Sequence, residues 1–174
     1  EESDFNVEIR NALIPELKRN GFEVKVVPDD LDLKGSIAWV NANSSKIEDG
    51  LAIAIHCNCC GGNGVETYYY GNSQVSKDIA TKLLDGYCQE TGLPRSNGGV
   101  RSDTTGRFGE LGWIRQTKPY ATLIECFYID NKENVEFAKN NIPKIAVHYF
   151  GAGNPQYYMQ GVAENWNSAK GNPL

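Results

Sequence analysis

Nothing in these 174 residues approaches the roughly 20 consecutive apolar positions that a membrane-spanning helix needs, which excludes such a span. A basic segment followed by an apolar run is also missing from the start, so no signal peptide is visible. Lysine and arginine never form a run, and the net charge is −5. A nucleic-acid partner is therefore not expected, because its binder would carry a basic stripe facing the phosphates. Histidine is scarce, with only His56 and His148. Cysteine occurs five times, at Cys57, Cys59, Cys60, Cys88 and Cys126, too few and too odd a number for a disulfide framework in a chain of this length. All but Cys88 lie in apolar strand-like runs or at their ends, where cysteine behaves as a small hydrophobe. Reduced, buried thiols are expected, and with them synthesis in a reducing cytosol followed by release.

What is present is the composition of an ordinary globular domain, 40% hydrophobic and 22% charged, long enough to bury one core. Phe5, Ile9, Ala12, Leu13 and Leu17 recur at helical spacing and Gly21 closes the segment, with Ser3 and Asp4 as caps and Pro15 as a bend. Residues 22–27 read as a short strand, and Ile37, Val40 and Ile47 suggest a second helix. Residues 51–60 and 121–129 are continuous apolar runs of strand length, as interior strands covered on both faces require. Residues 65–70 read as another strand, and 75–87 as an amphipathic helix ending near Gly92. The stretch 93–112, rich in Gly, Arg, Ser, Asp and Thr, reads as a long ordered loop of the functional kind. Val135, Ala138, Ile142, Ile145 and Tyr149 outline a last helix, kinked or restarted at Pro143. This alternation implies an α/β fold, a mostly parallel twisted sheet sandwiched by helices, over residues 1–150. Residues 151–174 show no period and read as a tail or the start of a linker.

Few residues are placed for chemistry. His148, among apolar neighbours on the last helix, reads as structural. His56 lies in Ala52-Ile53-Ala54-Ile55-His56-Cys57-Asn58, near the C-terminal end of a buried strand and before a glycine-rich turn. Ligand sites in open α/β sheets gather at such ends. Glu125 stands inside the apolar Thr122-Leu123-Ile124-Glu125-Cys126-Phe127. A carboxylate there is costly unless it is paired, holds a metal or performs acid–base work; a strand-end glutamate facing solvent is the bland alternative. Glu66, in Gly64-Val65-Glu66-Thr67-Tyr68-Tyr69-Tyr70, fits a site residue and a solvated strand face equally well.

Several segments together resemble one family. Ile53-Ala54-Ile55-His56-Cys57-Asn58 is similar to the "SIHAN" strand of the zinc-dependent N-acetylmuramoyl-L-alanine amidases of the amidase-3 type, and Gly64-Val65-Glu66-Thr67-Tyr68-Tyr69 to their "GVETYY" strand. Ser76-Lys77-Asp78-Ile79-Ala80 resembles the "SKxLA" helix start. Gly99-Val100-Arg101 and Leu111-Gly112-Trp113-Ile114-Arg115 resemble a family loop and the "LGVLR" segment. Leu123-Ile124-Glu125-Cys126-Phe127-Tyr128-Ile129-Asp130-Asn131 looks like "LVExGFISN". The resemblance runs in one order over about residues 2–150. It implies hydrolysis of the amide between the lactyl group of muramic acid and L-alanine of the peptidoglycan stem. His56 would be a zinc ligand. So would Glu2, through Glu2-Ser3-Asp4-Phe5-Asn6, which matches the family pattern "ExDFN". Glu125 would be the general base that activates water at the metal. Glu66, Arg101 and Arg115 would bind substrate. Action at the cell wall follows, by secretion or on phage lysis, with a wall-binding module possible beyond Leu174.

One departure stands out. The family opens with a strand and a "DPGHGG" turn whose histidine is a further zinc ligand, and no histidine precedes His56 here. A fragment without its first strand is therefore expected. Cys57 should face away from His56, and Cys59 and Cys60 lie farther on in the turn, so a cysteine substitute for that ligand is not expected. The competing readings are a wall-binding relic that holds glycan without cutting it, and an unrelated α/β metallopeptidase.

Overall fold

The computed structural model describes residues 2–44, 50–106 and 109–150, with side chains described through residue 142. Helix α1 (Glu2–Arg19) has acidic residues in its first turn and basic ones in its last, as the helix dipole favours, and buries Ile9 and Leu13. It begins at Glu2, so Ser3 and Asp4 lie within its first turn instead of capping it, and it runs through Pro15. Helix α2 (Leu33–Ala42) starts earlier than the apolar pattern suggested, because Asp32 caps it by accepting from the Gly35 amide at 2.7 Å. Ile47 lies outside the described residues. Helix α3 (Gln74–Thr91) is bounded as its sequence implies, by the Ser73 cap and by Gly92 in the left-handed region at φ 71°. Helix α5 (Lys132–Phe150) continues through Pro143 without restarting.

Four strands form one sheet in the order β1-β4-β2-β3, from β1 (Leu51–Asn58), β2 (Val65–Tyr69), β3 (Arg95–Ser102) and β4 (Tyr120–Tyr128). β1 runs parallel to β4 and β2 parallel to β3, while β2 and β4 are antiparallel. The expected α/β architecture with a mostly parallel sheet is what forms. One face carries Ile53, Ile55 and Cys57 of β1 with Ile124 and Cys126 of β4, packed with Ile9 and Leu13 of α1, Leu83 and Leu84 of α3 and Ala138 of α5. The other face packs Ala52 and Ala121 against Val40 and Trp39 of α2, and Tyr68 and Leu123 against Ile114 of α4 (Gly112–Gln116).

Two expectations fail for identifiable reasons. Residues 22–27 form no strand: Phe22 and Val26 stay 41% and 39% exposed, Val24 is half-buried, and Val27 packs onto the cluster of Val40, Ala52 and Ala121. An alternating segment becomes a strand only where a partner edge accepts its hydrogen bonds, and among the described residues it joins none. Conversely, the expected loop 93–112 contains β3, a short 3₁₀ turn at Asp103–Thr105 and α4. β3 has a single large aliphatic residue, Val100, and its pairing with β2 jumps from Val65↔Arg95 to Thr67↔Val100. Asn97, Gly98 and Gly99, at φ 48°, 86° and 82°, take up the extra length as a bulge.

The cysteines divide. Cys57 and Cys126 are free and buried and Cys88 is free and half-buried, but Cys59 and Cys60 are joined to each other as a disulfide on the exposed turn after β1. Five reduced, buried thiols are thus not what the fold holds; the turn projects this pair away from the apolar layer that receives Cys57.

Candidate active site

The strands set the site by register. His56 of β1 is the direct partner of Glu125 on β4, and Glu66 of β2 is the partner of Glu125 on its other side. Three adjacent strands therefore place an imidazole and two carboxylates in one row. Because β2 runs against β4, the row combines the carboxyl ends of β1 and β4 with the start of β2. The adjacency of the two apolar strands, with His56 and Glu125 at the same end, agrees with the sequence expectation.

Helix α1 delivers Glu2 to this row. Its Oε1 lies 3.1 Å from His56 Nδ1 and accepts from the Cys57 amide at 3.3 Å and from Asn6 Nδ2 at 3.4 Å. Glu2 and His56 side chains are each almost half exposed, at 44% and 45%, so this corner is open to solvent and ligand. A bulge between His56 and Asn58 shifts the β1 register just beyond the histidine. Cys57 faces the opposite layer, as strand alternation requires, and burial pushes its thiol up, with Glu2 and Glu125 adding to the effect.

Glu125 is the strained member. Its Oε2 is buried without a hydrogen-bond partner among the described residues. Burial foremost, then the charges of Glu2 and Glu66, raise its carboxyl from 4.5 to about 7. A carboxyl so placed sits at the midpoint of its titration near neutral pH, where proton transfer in either direction is easy.

Glu66 has a different character. It is 1% exposed, and it accepts from Arg101 Nη1 at 3.0 Å, from Asn97 Nδ2 at 3.4 Å, from Tyr128 Oη at 3.5 Å and from Asn58 Nδ2. Arg101 also donates to Tyr68 Oη at 3.0 Å and to the Thr105 carbonyl at 2.6 Å, and its guanidinium lies 5.3 Å from the Tyr68 ring centroid. Burial and the Glu66 charge push the Tyr68 hydroxyl up to about 12, so it stays protonated. Glu66 thus anchors Arg101 from below and is no solvated strand face.

Arg115 belongs to another group. It pairs with the fully buried Asp103 and with Glu110, and lies 5.3 Å from the Tyr70 ring. Tyr70 is four residues beyond Glu66, on the order of 13 Å along an extended chain, so Arg115 stands at the other end of the face. The structure gathers Glu2, His56 and Glu125, sets Glu66 and Arg101 beside them, and leaves Arg115 apart. The side chain of His148 lies outside those described. No role was expected from the sequence for Asn6, Asn58, Asn97 or Tyr128; Asn6, Asn58 and Tyr128 lay within quoted motifs, but an amide or hydroxyl in a motif carries no sign of which carboxylate it serves.

With the geometry in place, comparison gives the family. The profile described as Amidase_3, N-acetylmuramoyl-L-alanine amidase, matches residues 1–150. The chain belongs to this family. Solved structures similar in fold include the catalytic domain of CwlV, an N-acetylmuramoyl-L-alanine amidase from Bacillus (Paenibacillus) polymyxa var. colistinus, at 24% identity and TM-score 0.69 over 98% of this chain and 85% of that one. A second is the catalytic domain of an endolysin targeting Clostridia difficile, at 23% identity and TM-score 0.67 over 99% and 85%. A third is the N-acetylmuramyl-L-alanine amidase Ami1 from Mycobacterium smegmatis, at 16% identity and TM-score 0.71 over 96% and 77%. The comparison with curated proteins returned no match. As a family domain the chain is a peptidoglycan amidase, and among the described residues no helix is long and apolar enough to cross a membrane.

Proposed function

We propose that this amidase domain cleaves the bond between the lactyl carbonyl of N-acetylmuramic acid and L-alanine of the stem peptide, with Glu125 as general base and with Glu2 and His56 holding a zinc ion at the half-exposed corner of the sheet. The observation that carries the reading is Glu125: a buried carboxyl, raised to about 7 and with one oxygen unpartnered, in register with His56. The donors suit the ion, since an imidazole and a carboxylate converge at one half-exposed point and zinc accepts both. Among the described residues no group of three or more such donors is placed to hold a metal ion together, so Glu2 and His56 supply two positions. When bound, zinc would polarise the amide carbonyl and acidify water at the site.

The chain's own residues do the rest. Glu125 takes the proton from the attacking water and returns it to the departing alanine nitrogen, a transfer for which a carboxyl near 7 is matched. Arg101, fixed by Glu66, Tyr68 and Thr105, offers a rigid cation for a carboxylate of the stem peptide, and Glu66 serves binding through Arg101 instead of by contact. Arg115, farther along the face, meets a more distant part of the substrate. The domain then acts at the cell wall, reached by secretion or on lysis.

The test is incubation of zinc-supplemented protein with purified peptidoglycan, scoring new L-alanine amino termini. Glu125→Gln should lower the rate by about 10²- to 10⁴-fold with the fold retained. A parent that is shown by metal analysis to carry zinc, binds glycan and releases no termini would establish the non-catalytic wall-binding reading in its place.

A further inference from the structure

Glu2 is a long side chain in the first turn of a helix, almost half exposed, and a free carboxylate there would sample several rotamers. It is nevertheless held, and among the described residues the holding falls on one oxygen. Oε1 takes the Cys57 amide at 3.3 Å and Asn6 Nδ2 at 3.4 Å and faces His56 Nδ1 at 3.1 Å, which leaves Oε2 uncommitted among the described residues. Asn6 lies one helical turn after Glu2, the spacing at which helix side chains meet. Its amide could sit either way round. Cys57 decides between the two: its buried thiol lies 3.3 Å from Asn6 Oδ1 and donates to it, leaving the NH₂ for Glu2. The reversed amide would set an oxygen against the carboxylate.

We propose that Asn6, locked in orientation by the Cys57 thiol, is a positioning residue that aims the free oxygen of Glu2 at the metal. The inference rests on the zinc reading above and adds to it a device outside the ligand set. Cys57 acts through both its backbone and its side chain, which explains why a thiol at the end of β1 faces a helix amide instead of a wholly apolar layer. Groups that orient metal ligands in this way are typically worth about 10- to 100-fold in metal affinity.

The experiment uses the full chain with Asn6→Ala, Cys57→Ala, Cys57→Ser and, as a reference, Glu2→Ala. Zinc affinity is read by competition with a chromophoric chelator, and the Cys57 amide-proton NMR shift is read in metal-free protein. Asn6→Ala should weaken zinc roughly 10- to 100-fold and move the Cys57 amide toward its position in Glu2→Ala. Cys57→Ser, which keeps a donor for Asn6, should stay near the parent, and Cys57→Ala should fall towards Asn6→Ala. Parental zinc affinity in Asn6→Ala overturns the proposal. So does an unchanged Cys57 amide in that variant when Glu2→Ala displaces it. If the parent itself binds no zinc, the functional reading fails, while the amide shift still decides whether Asn6 holds Glu2.

Discussion

Glu125→Gln should make the metal-free protein more stable at alkaline pH while removing its activity. The folded Glu125 carboxyl titrates at about 7, against 4.5 for an ordinary one, chiefly because burial penalises its charge. Between those values the unfolded chain has released a proton that the folded chain keeps. Stability from this group is therefore fully present below about pH 4.5 and is lost as pH rises through 7. At about 1.4 kcal/mol per pH unit the loss amounts to roughly 3 kcal/mol. Glutamine has the same shape and no proton to lose, so its stability curve lacks this descent. The assay is urea unfolding of both proteins at pH 4 and pH 8 with a chelator present. The difference between them should grow by about 3 kcal/mol in favour of the variant from the lower to the higher pH. Comparing the two pH values cancels whatever the amide itself contributes. Parallel curves across that range would refute the claim that burial holds Glu125 near neutrality.

Glu66→Ala strands Arg101 and the Asn58 and Asn97 amides around a buried void, and removing one partner of such a pair should cost on the order of 3–5 kcal/mol in unfolding experiments. Gly64→Ala should abolish folding or destabilise severely, because its Cβ would lie 1.9 Å from the Pro94 carbonyl oxygen at a φ of 96°; soluble yield and a thermal melt check this. Glu2 and His56 are the donors that converge among the described residues, so the protein should retain little zinc on dialysis, which metal analysis of the dialysed sample checks. Stoichiometric zinc would return attention to His148 and, once their disulfide is reduced, to Cys59 and Cys60.

The strands β1 and β4 were readable because each is a continuous apolar run interrupted by one chemical residue, His56 in β1 and Glu125 in β4, although β1 proves to be an edge strand among the described residues and only β4 the expected interior one. Burial on both faces writes itself into sequence as hydrophobicity, and an intruding polar residue then marks a site. β3 carries no such signal: in Arg95–Ser102 its hold on β2 is mostly backbone pairing, and glycine and asparagine absorb a bulge. Segment 22–27 shows the converse, an alternating pattern without a partner. Glu66 could not be assigned because alternation fits a wet face and a buried ion pair alike. What distinguishes them is Arg101, which β3 supplies and which the loop expectation had left unpaired. The same limit applies to Asn6, whose role depends on a helix meeting the end of β1.

The order β1-β4-β2-β3 also bears on how the domain assembles. β1 and β2 are successive in the chain, joined by residues 59–64, yet they do not pair; between them lies a slot two interstrand spacings wide, roughly 10 Å. The strand that fills it, β4, begins at Tyr120. On a ribosome, β1 and β2 emerge with their facing edges unsatisfied and wait until their common neighbour begins at Tyr120. Closing that slot unites the sheet and inserts Glu125 between His56 and Glu66 in the same event. Acquisition of the base and completion of the fold are then one step, and a nascent chain stopped before β4 would present two open edges to its neighbours and no catalytic row.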